Sequence, residues 1–201
     1  MANRLHLLSR MADGTWERIH RYLRQWIRLK GERPGSPSVA IIDSQSVKIG
    51  VLTNKAVGFD GGKQVKGRKR HLLVDALGLM LMVVVTAANV SDQAGAKALF
   101  AKLKRQKRWF KRLFLIYGDG TYGGKTFVPW VFDTYRLIME VVLRKDQKKG
   151  FQVLPKRWLV ERSFAWLSNC RRLSRDYEAL PESSEAFIYL AMIRLMLKRL
   201  A

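Results

Sequence analysis

Three of the sixteen carboxylates in this 201-residue chain stand where they could do chemistry. Asp43 directly follows the apolar run Val39 to Ile42, and Asp119 ends the apolar run "LFLIYG", bracketed by Gly118 and Gly120. Glu161 is the single acid between Lys156 and Arg175, a stretch that holds six Lys or Arg. Each has an ordinary reading as well, the aspartates as structural strand ends and the glutamate as a solvated surface residue. Taken together amid positive charge, three oxygen donors suit Mg²⁺ or Mn²⁺, hard ions that bind carboxylates and retain water. Two such ions about 3.5–4 Å apart can activate an attacking oxygen and stabilise a leaving one in phosphodiester displacement. That chemistry requires Asp43 and Asp119 on neighbouring strands, with the Glu161 helix beside them.

The other acids have plainer readings. Asp60 lies among glycines, Asp75 in a hairpin turn and Asp92 at a helix cap. Asp176, Glu178, Glu182 and Glu185 fall in a polar connection where solvated or capping roles suffice.

The elements that must position the three carboxylates follow from periodicity. "GTWERIHRYLRQWIRLKG" spaces Trp16, Ile19, Leu23 and Ile27 as a helix, and "GERPGSP" stops it as a linker. "SVAIIDSQSVKI" reads as a strand ending near Asp43. "GFDGGKQVKGRKRH" reads as a Gly-rich basic loop, and "HLLVDALGLMLMVVVTAA" as a hairpin turning at Asp75 to Gly78. A capped helix from "SDQAGA", a short strand ending at Asp119, a helix at "KTFVPWVFDTY" and a strand at "RLIMEVVLRK" come next. Helical periodicity then runs almost to the end. Strands followed by crossover helices predict an α/β chain with a mixed central sheet flanked by helices and preceded by a short helical segment. The expected division is residues 1–37 as basic helix and linker and 38–201 as catalytic domain.

Charge names the partner class. Thirty-eight Lys and Arg against sixteen Asp and Glu give a formal net charge of +22, an excess that makes sense against a polyanion. DNA, tRNA and ribosomal RNA all fit that balance. An anionic membrane fits less well, because the basic residues are spread along the chain. The single cysteine, Cys170, excludes an internal disulfide and a multi-cysteine zinc site. With no signal peptide to read, a cytoplasmic setting is expected. The longest apolar run, Ala76 to Val90, is too short to span a bilayer.

The same residues carry a resemblance. "IDSQSVK", "GFDGGKQVKGRKRHLLVDALGLML", "AANVSDQAGA", "YGDGTYGG" and "PKRWLVERSFAWLSNCRRLSRDYE" occur in the order found in bacterial insertion-sequence transposases of group five. These are DDE enzymes with a ribonuclease-H-like catalytic fold. The resemblance implies that Asp43, Asp119 and Glu161 are the catalytic and metal-binding triad, loaded with two Mg²⁺ ions for which Mn²⁺ may substitute. It implies cleavage at transposon ends to free a 3′ hydroxyl, which then attacks target DNA, in a homodimer or larger assembly on DNA in the bacterial cytoplasm and nucleoid. Family members carry a further N-terminal region for end recognition. The short segment here therefore predicts one frame of a two-frame element or a truncated copy, completed by an N-terminal partner or a frameshift-fused region. The competing reading is a catalytically incomplete DNA-binding fragment that acts as an inhibitor.

The basic stretches divide the same way, between phosphate contact and a solvated face. Lys63, Lys66, Arg68, Lys69, Arg70 and His71 form the densest cluster and are assigned to DNA. Arg157, Arg162, Arg171 and Arg172 flank Glu161 and are assigned to the scissile region, with Tyr122 beside the Asp119 loop. On its helix Glu161 shares a face with Trp158, Ala165 and Ser168, while Val160, Phe164 and Leu167 form the stripe that docks on the sheet. Trp158 and Trp166 are expected in the core.

Overall fold

The computed structural model describes residues 13–50, 55–143 and 158–201. Its centre is a six-stranded mixed sheet. Strand β1 (Val39–Lys48) pairs antiparallel along its length with β3 (Val65–Asp75), from Ala40 opposite Asp75 to Lys48 opposite Gly67. On its other edge β1 runs parallel to β5 (Leu115–Gly118), which in turn is parallel to β6 (Ile138–Val141). The far edge of β3 carries β4 (Met80–Ala87) and the short β2 (Gly58–Asp60). The sheet is thus mixed, with antiparallel strands on one side of β1 and parallel ones on the other.

Among the described residues five α-helices accompany it: α1 (Thr15–Lys30), α2 (Asp92–Arg105), α3 (Phe127–Tyr135), α4 (Trp158–Ser168) and α5 (Pro181–Leu200). Alternation along the strands sends side chains to two cores. Ala40, Ile42, Leu73 and Met82 join Leu99 and Phe100 of α2 and Val131 of α3. Ile41, Leu72, Val74 and Val83 join Val160, Phe164 and Leu167 of α4 and Ile188 and Met192 of α5. Each large apolar side chain so buried contributes about 1.5–3 kcal/mol. That is what fixes the rotation of α4 and leaves Glu161 outside.

The sequence reading needs two corrections in the strands. First, β1 continues five residues past Asp43, because Ser44 to Lys48 still pair with β3. Second, "VKGRKRH" is strand and not loop. Both edges of that segment are paired, and Gly67 admits the close approach of β1: a Cβ there would lie 1.9 Å from the Val47 carbonyl oxygen. One of its buried charges, Arg68, is partnered by residues distant in sequence. Arg68 is bonded to Asp176 at 3.1 Å and Ser184 at 3.0 Å, and to the carbonyls of Lys55, Glu178 and Ala179. Asp176, read as solvated or capping, is 2% exposed for the same reason and accepts from the Glu178 amide.

Helix α1 also differs from its expected pattern. Trp16, Leu23 and Ile27 pack against Leu79, Ile193 and Met196, whereas Ile19 points outward. Arg24 and Arg28 turn inward beside them. Arg24 donates to the carbonyls of Met80 and Leu81 at 3.4 and 3.3 Å, and Arg28 forms a buried ion pair with Asp75. Asp75 also accepts from the Leu77 and Leu79 amides, so the β3–β4 turn is organised around one carboxylate. From the other side Arg162 of α4 donates to the Leu77 carbonyl at 3.1 Å.

Candidate active site

The parallel register brings the two aspartates to neighbouring positions. Ile41 is partnered with Tyr117, and two residues further along each strand stand Asp43 and Asp119. Strand β5 ends at Gly118, so the chain turns away just where the second carboxylate emerges, while β1 runs on. Both aspartates are half-buried.

Local donors hold them. The Ser44 amide donates to Asp43 Oδ1 at 2.7 Å. Asp119 caps the turn Gly120–Tyr122, accepting from the Thr121 amide at 2.9 Å and from the Thr121 hydroxyl. Beneath them the Tyr122 ring is fully buried, and its hydroxyl is held well above the ordinary phenol range, first by burial and then by the charges of Asp43, Asp92 and Asp119. The same burial shuts the ring off from solvent. It also corrects the assignment of Tyr122 to DNA, because a ring with no exposed surface reaches no phosphate.

Asp92 is the member that sequence reasoning missed. Expected as the helix cap, it is instead the first residue of α2, behind the Ser91 cap. It also accepts from Ser44 Oγ at 2.6 Å and pairs with Lys69 at 3.2 Å. Lys69 lies 3.6 Å from Asp60 as well, whose carboxyl is held below the usual range by the Ser46 hydroxyl and nearby lysines. The alternation of "DSQS" was the available signal: Ser44 and Ser46 face α2, opposite to Asp43 and Gln45.

Glu161 is exposed on α4 beside Trp158, Ala165 and Ser168, also exposed, while Val160, Phe164 and Leu167 are buried. Helix α4 packs on β1 and β3, the face to which Asp43 points, and Gln45 Nε2 donates to Ser168 Oγ at 3.2 Å. The structure thus brings Asp43 and Asp119 together and lays the Glu161 helix alongside. Among the described residues, no three or more His, Cys, Asp or Glu side chains lie close enough to hold one metal ion. The donor chemistry fits a hard divalent cation, with the third carboxylate standing apart from the pair.

The basic residues separate sharply. Lys63, Lys66, Arg171 and Arg172 are exposed. Lys63 Nζ lies 3.3 Å from the Ser44 carbonyl, next to Asp43 in sequence, and Arg172 pairs with Glu178. Arg68, Arg70 and His71 have no exposed surface and Lys69 is 7% exposed, which corrects their assignment to DNA contact. They turn into the protein because the strand is covered on both faces. His71 bonds Thr86 at 3.0 Å beneath Gly95, and burial pushes its imidazole down to about 4. Arg70 is pushed down to about 10 by burial, and its side-chain nitrogens have no hydrogen-bond partner. Arg162 lies 4.6 Å from the ring centres of both Trp158 and Trp166 while gripping Leu77, so it serves α4 more than a phosphate. Trp158, expected in the core, is 43% exposed, since its face of α4 points away from the sheet. Arg157 lies outside the described residues.

Set against known proteins, residues 34–196 match the family described as the transposase DDE domain, and the chain belongs to that family. It is 30% identical over 128 residues to a Burkholderia cepacia protein assigned as a transposase for insertion sequence element IS402; the match covers 62% of this chain and 60% of that relative. The chain thus spans about three fifths of that relative's length. Among solved structures it is similar to the catalytic core domain of BIV integrase (11% identity, TM-score 0.41, 80% of this chain and 84% of that one). It is also similar to the Mos1 mariner paired-end complex with Mn (10% identity, TM-score 0.40, 90% of this chain and 59% of that one).

Proposed function

We propose that this chain is the catalytic portion of a DNA transposase that cuts phosphodiester bonds at transposon ends and joins the freed 3′ hydroxyls to target DNA. The observation that carries the proposal is the β1–β5 register, which sets Asp43 beside Asp119 within a chain of the DDE family. Asp43, Asp119 and Glu161 are the residues to hold divalent cations, two Mg²⁺ with Mn²⁺ as substitute. When bound, such ions neutralise developing charge on the phosphoryl group and acidify water. The protein's own share is to fix the carboxylates. Ser44 and Thr121 orient the aspartates, and the buried stripe of α4 presents Glu161 outward.

Exposed Lys63, Lys66, Arg171 and Arg172 neutralise the DNA backbone, with Arg157 joining them. Lys63 reaches the residue next to Asp43, through the Ser44 carbonyl. Two transposon ends require two copies of the chain, and recognition of the ends belongs to a further N-terminal region or partner. The setting is the bacterial cytoplasm, on the nucleoid. Among the described residues no helix is long and apolar enough to cross a membrane.

The test mixes purified protein with labelled transposon-end DNA and Mg²⁺ or Mn²⁺ and scores the 3′ product. Metal-dependent cleavage is the expected result. Salt-sensitive binding without cleavage, with or without the N-terminal region supplied, would favour the inhibitory fragment instead.

A further inference from the structure

The register pairs of β1 and β5 stop at Ile41 and Tyr117, two residues short of Asp43 and Asp119. Past that point the parallel ladder no longer sets how far apart the two carboxylates stand. Cations about 3.5–4 Å apart tolerate little error there, since a misplacement of about 1 Å can cost about 10²-fold in rate. A brace outside the ladder is needed.

The first turn of α2 spans the gap. Asp92 accepts from Ser44 Oγ at 2.6 Å, and Ser44 is the residue whose amide donates to Asp43. The next residue, Gln93, donates from Nε2 to the carbonyls of Thr121 at 3.0 Å and Gly123 at 2.9 Å. Thr121 in turn donates its amide and its hydroxyl to Asp119. Two consecutive helical residues thus grip the two residues that hold the aspartates. One amide nitrogen carries two hydrogens, so Gln93 can serve both carbonyls at once.

The helix is a firm mount. Ser91 caps it by accepting from the Ala94 amide at 3.2 Å, and Ala96, Leu99 and Phe100 are fully buried behind the first turn. Gly95 lets that turn sit close on β3, because a Cβ there would lie 2.0 Å from the His71 ring. Lys69 holds Asp92 from the strand side at 3.2 Å.

We propose that Asp92 and Gln93 are positioning residues, a clamp that sets the separation of Asp43 and Asp119 for divalent cations. The inference rests on the transposase reading for the cations; the clamp itself concerns the Asp119 turn and is also tested without metal. Partners that orient metal ligands from outside contribute about 10–100-fold in metal affinity.

The test uses the whole chain without DNA and reads Mn²⁺ binding from the paramagnetic resonance of the free ion. Gln93→Glu is the telling variant. It keeps the side-chain length, suits the first turn of a helix and adds a negative charge near the cations, so Coulomb attraction alone would tighten Mn²⁺ binding. The clamp requires the reverse: a carboxylate facing two carbonyl oxygens releases the turn, and Mn²⁺ affinity falls about tenfold. Ser44→Ala and Gln93→Ala should each weaken binding in the same way. Their combination should fall little further, because opening either end frees the gap, whereas independent contacts would add. In metal-free Gln93→Ala, amide hydrogen exchange over residues 118–123 should quicken about tenfold, with the β3 amides and the melting temperature unchanged. Unchanged or tighter Mn²⁺ binding in Gln93→Glu, an additive double variant, or unchanged exchange in the turn overturns the proposal. A wild-type chain that takes up no Mn²⁺ would count against the transposase reading, and the exchange result alone would then decide the clamp.

Discussion

Ile41 and Tyr117 are register partners across two parallel strands, and the residue two places beyond each is an aspartate. A parallel ladder repeats every two residues with the side chain on the same face. The geometry that makes Ile41 and Tyr117 neighbours therefore sends Asp43 and Asp119 to one side, toward α4.

Single replacement of Asp43, Asp119 or Glu161 by its amide is expected to lower metal-dependent cleavage by roughly 10²–10³-fold, the scale of several kcal/mol of transition-state charge stabilisation. The Asp43→Asn, Asp119→Asn double variant should fall little further, because groups that act as a unit are not additive. Single-turnover cleavage rates, with circular dichroism to confirm the fold, make the comparison.

DNA affinity should depend on the exposed cations alone. Lys63→Ala and Lys66→Ala should each make the slope of log K against log salt shallower by about one. Arg70→Met should leave it unchanged, although Arg70 belongs to the same basic run. Fluorescence anisotropy on duplex DNA over a salt series reads both.

Arg68 and Arg70 lie two residues apart on β3 and both are fully buried, yet their replacement by Met should act in opposite directions. Arg68→Met removes the guanidinium shared by Asp176, Ser184 and three carbonyls, and should destabilise by about 3–5 kcal/mol. Arg70→Met removes a buried charge whose nitrogens have no hydrogen-bond partner, and should stabilise by about 1–3 kcal/mol. Urea denaturation of the two variants decides the matter.

His71 ties stability to acidity. Its folded imidazole titrates at about 4 against an ordinary 6.5, with burial the main cause. The folded state therefore favours the neutral ring, a contribution fully present above pH 6.5. It is lost as pH falls from there toward 4, when the unfolded chain takes up a proton that the native one refuses. The loss amounts to roughly 3 kcal/mol. Melting temperature against pH should show this decline, and His71→Asn should flatten it, although His20, also buried and pushed down, adds a decline of its own.

The fold, the neighbouring strands of Asp43 and Asp119 and the outward face of Glu161 were legible in the sequence for local reasons. Val160, Phe164 and Leu167 repeat at helical spacing, so the face left to Glu161 could be read directly. "LFLIYGDG" announces a strand, its end and a carboxylate within eight residues. The basic strand was not legible. "KGRKRH" has the composition of a solvated arm, and its burial depends on Asp176, 108 residues from Arg68. The helix start at Ser91 and Asp92 is legible, but the bond of Asp92 to Ser44 across 48 residues belongs to tertiary structure. Helix α1 showed its apolar face to periodicity but not its inward-turned arginines, which find carbonyls and Asp75 in the hairpin.

The β3–β4 turn is gripped from both sides, by Arg28 of α1 through Asp75 and by Arg162 of α4 through Leu77. Arg162 is the immediate neighbour of Glu161. A chain trimmed to begin at residue 34, where the family match starts, would leave Asp75 without its cation and loosen the anchor of α4. The leading helix, though remote from the aspartates, thereby becomes a brace for the helix that carries Glu161.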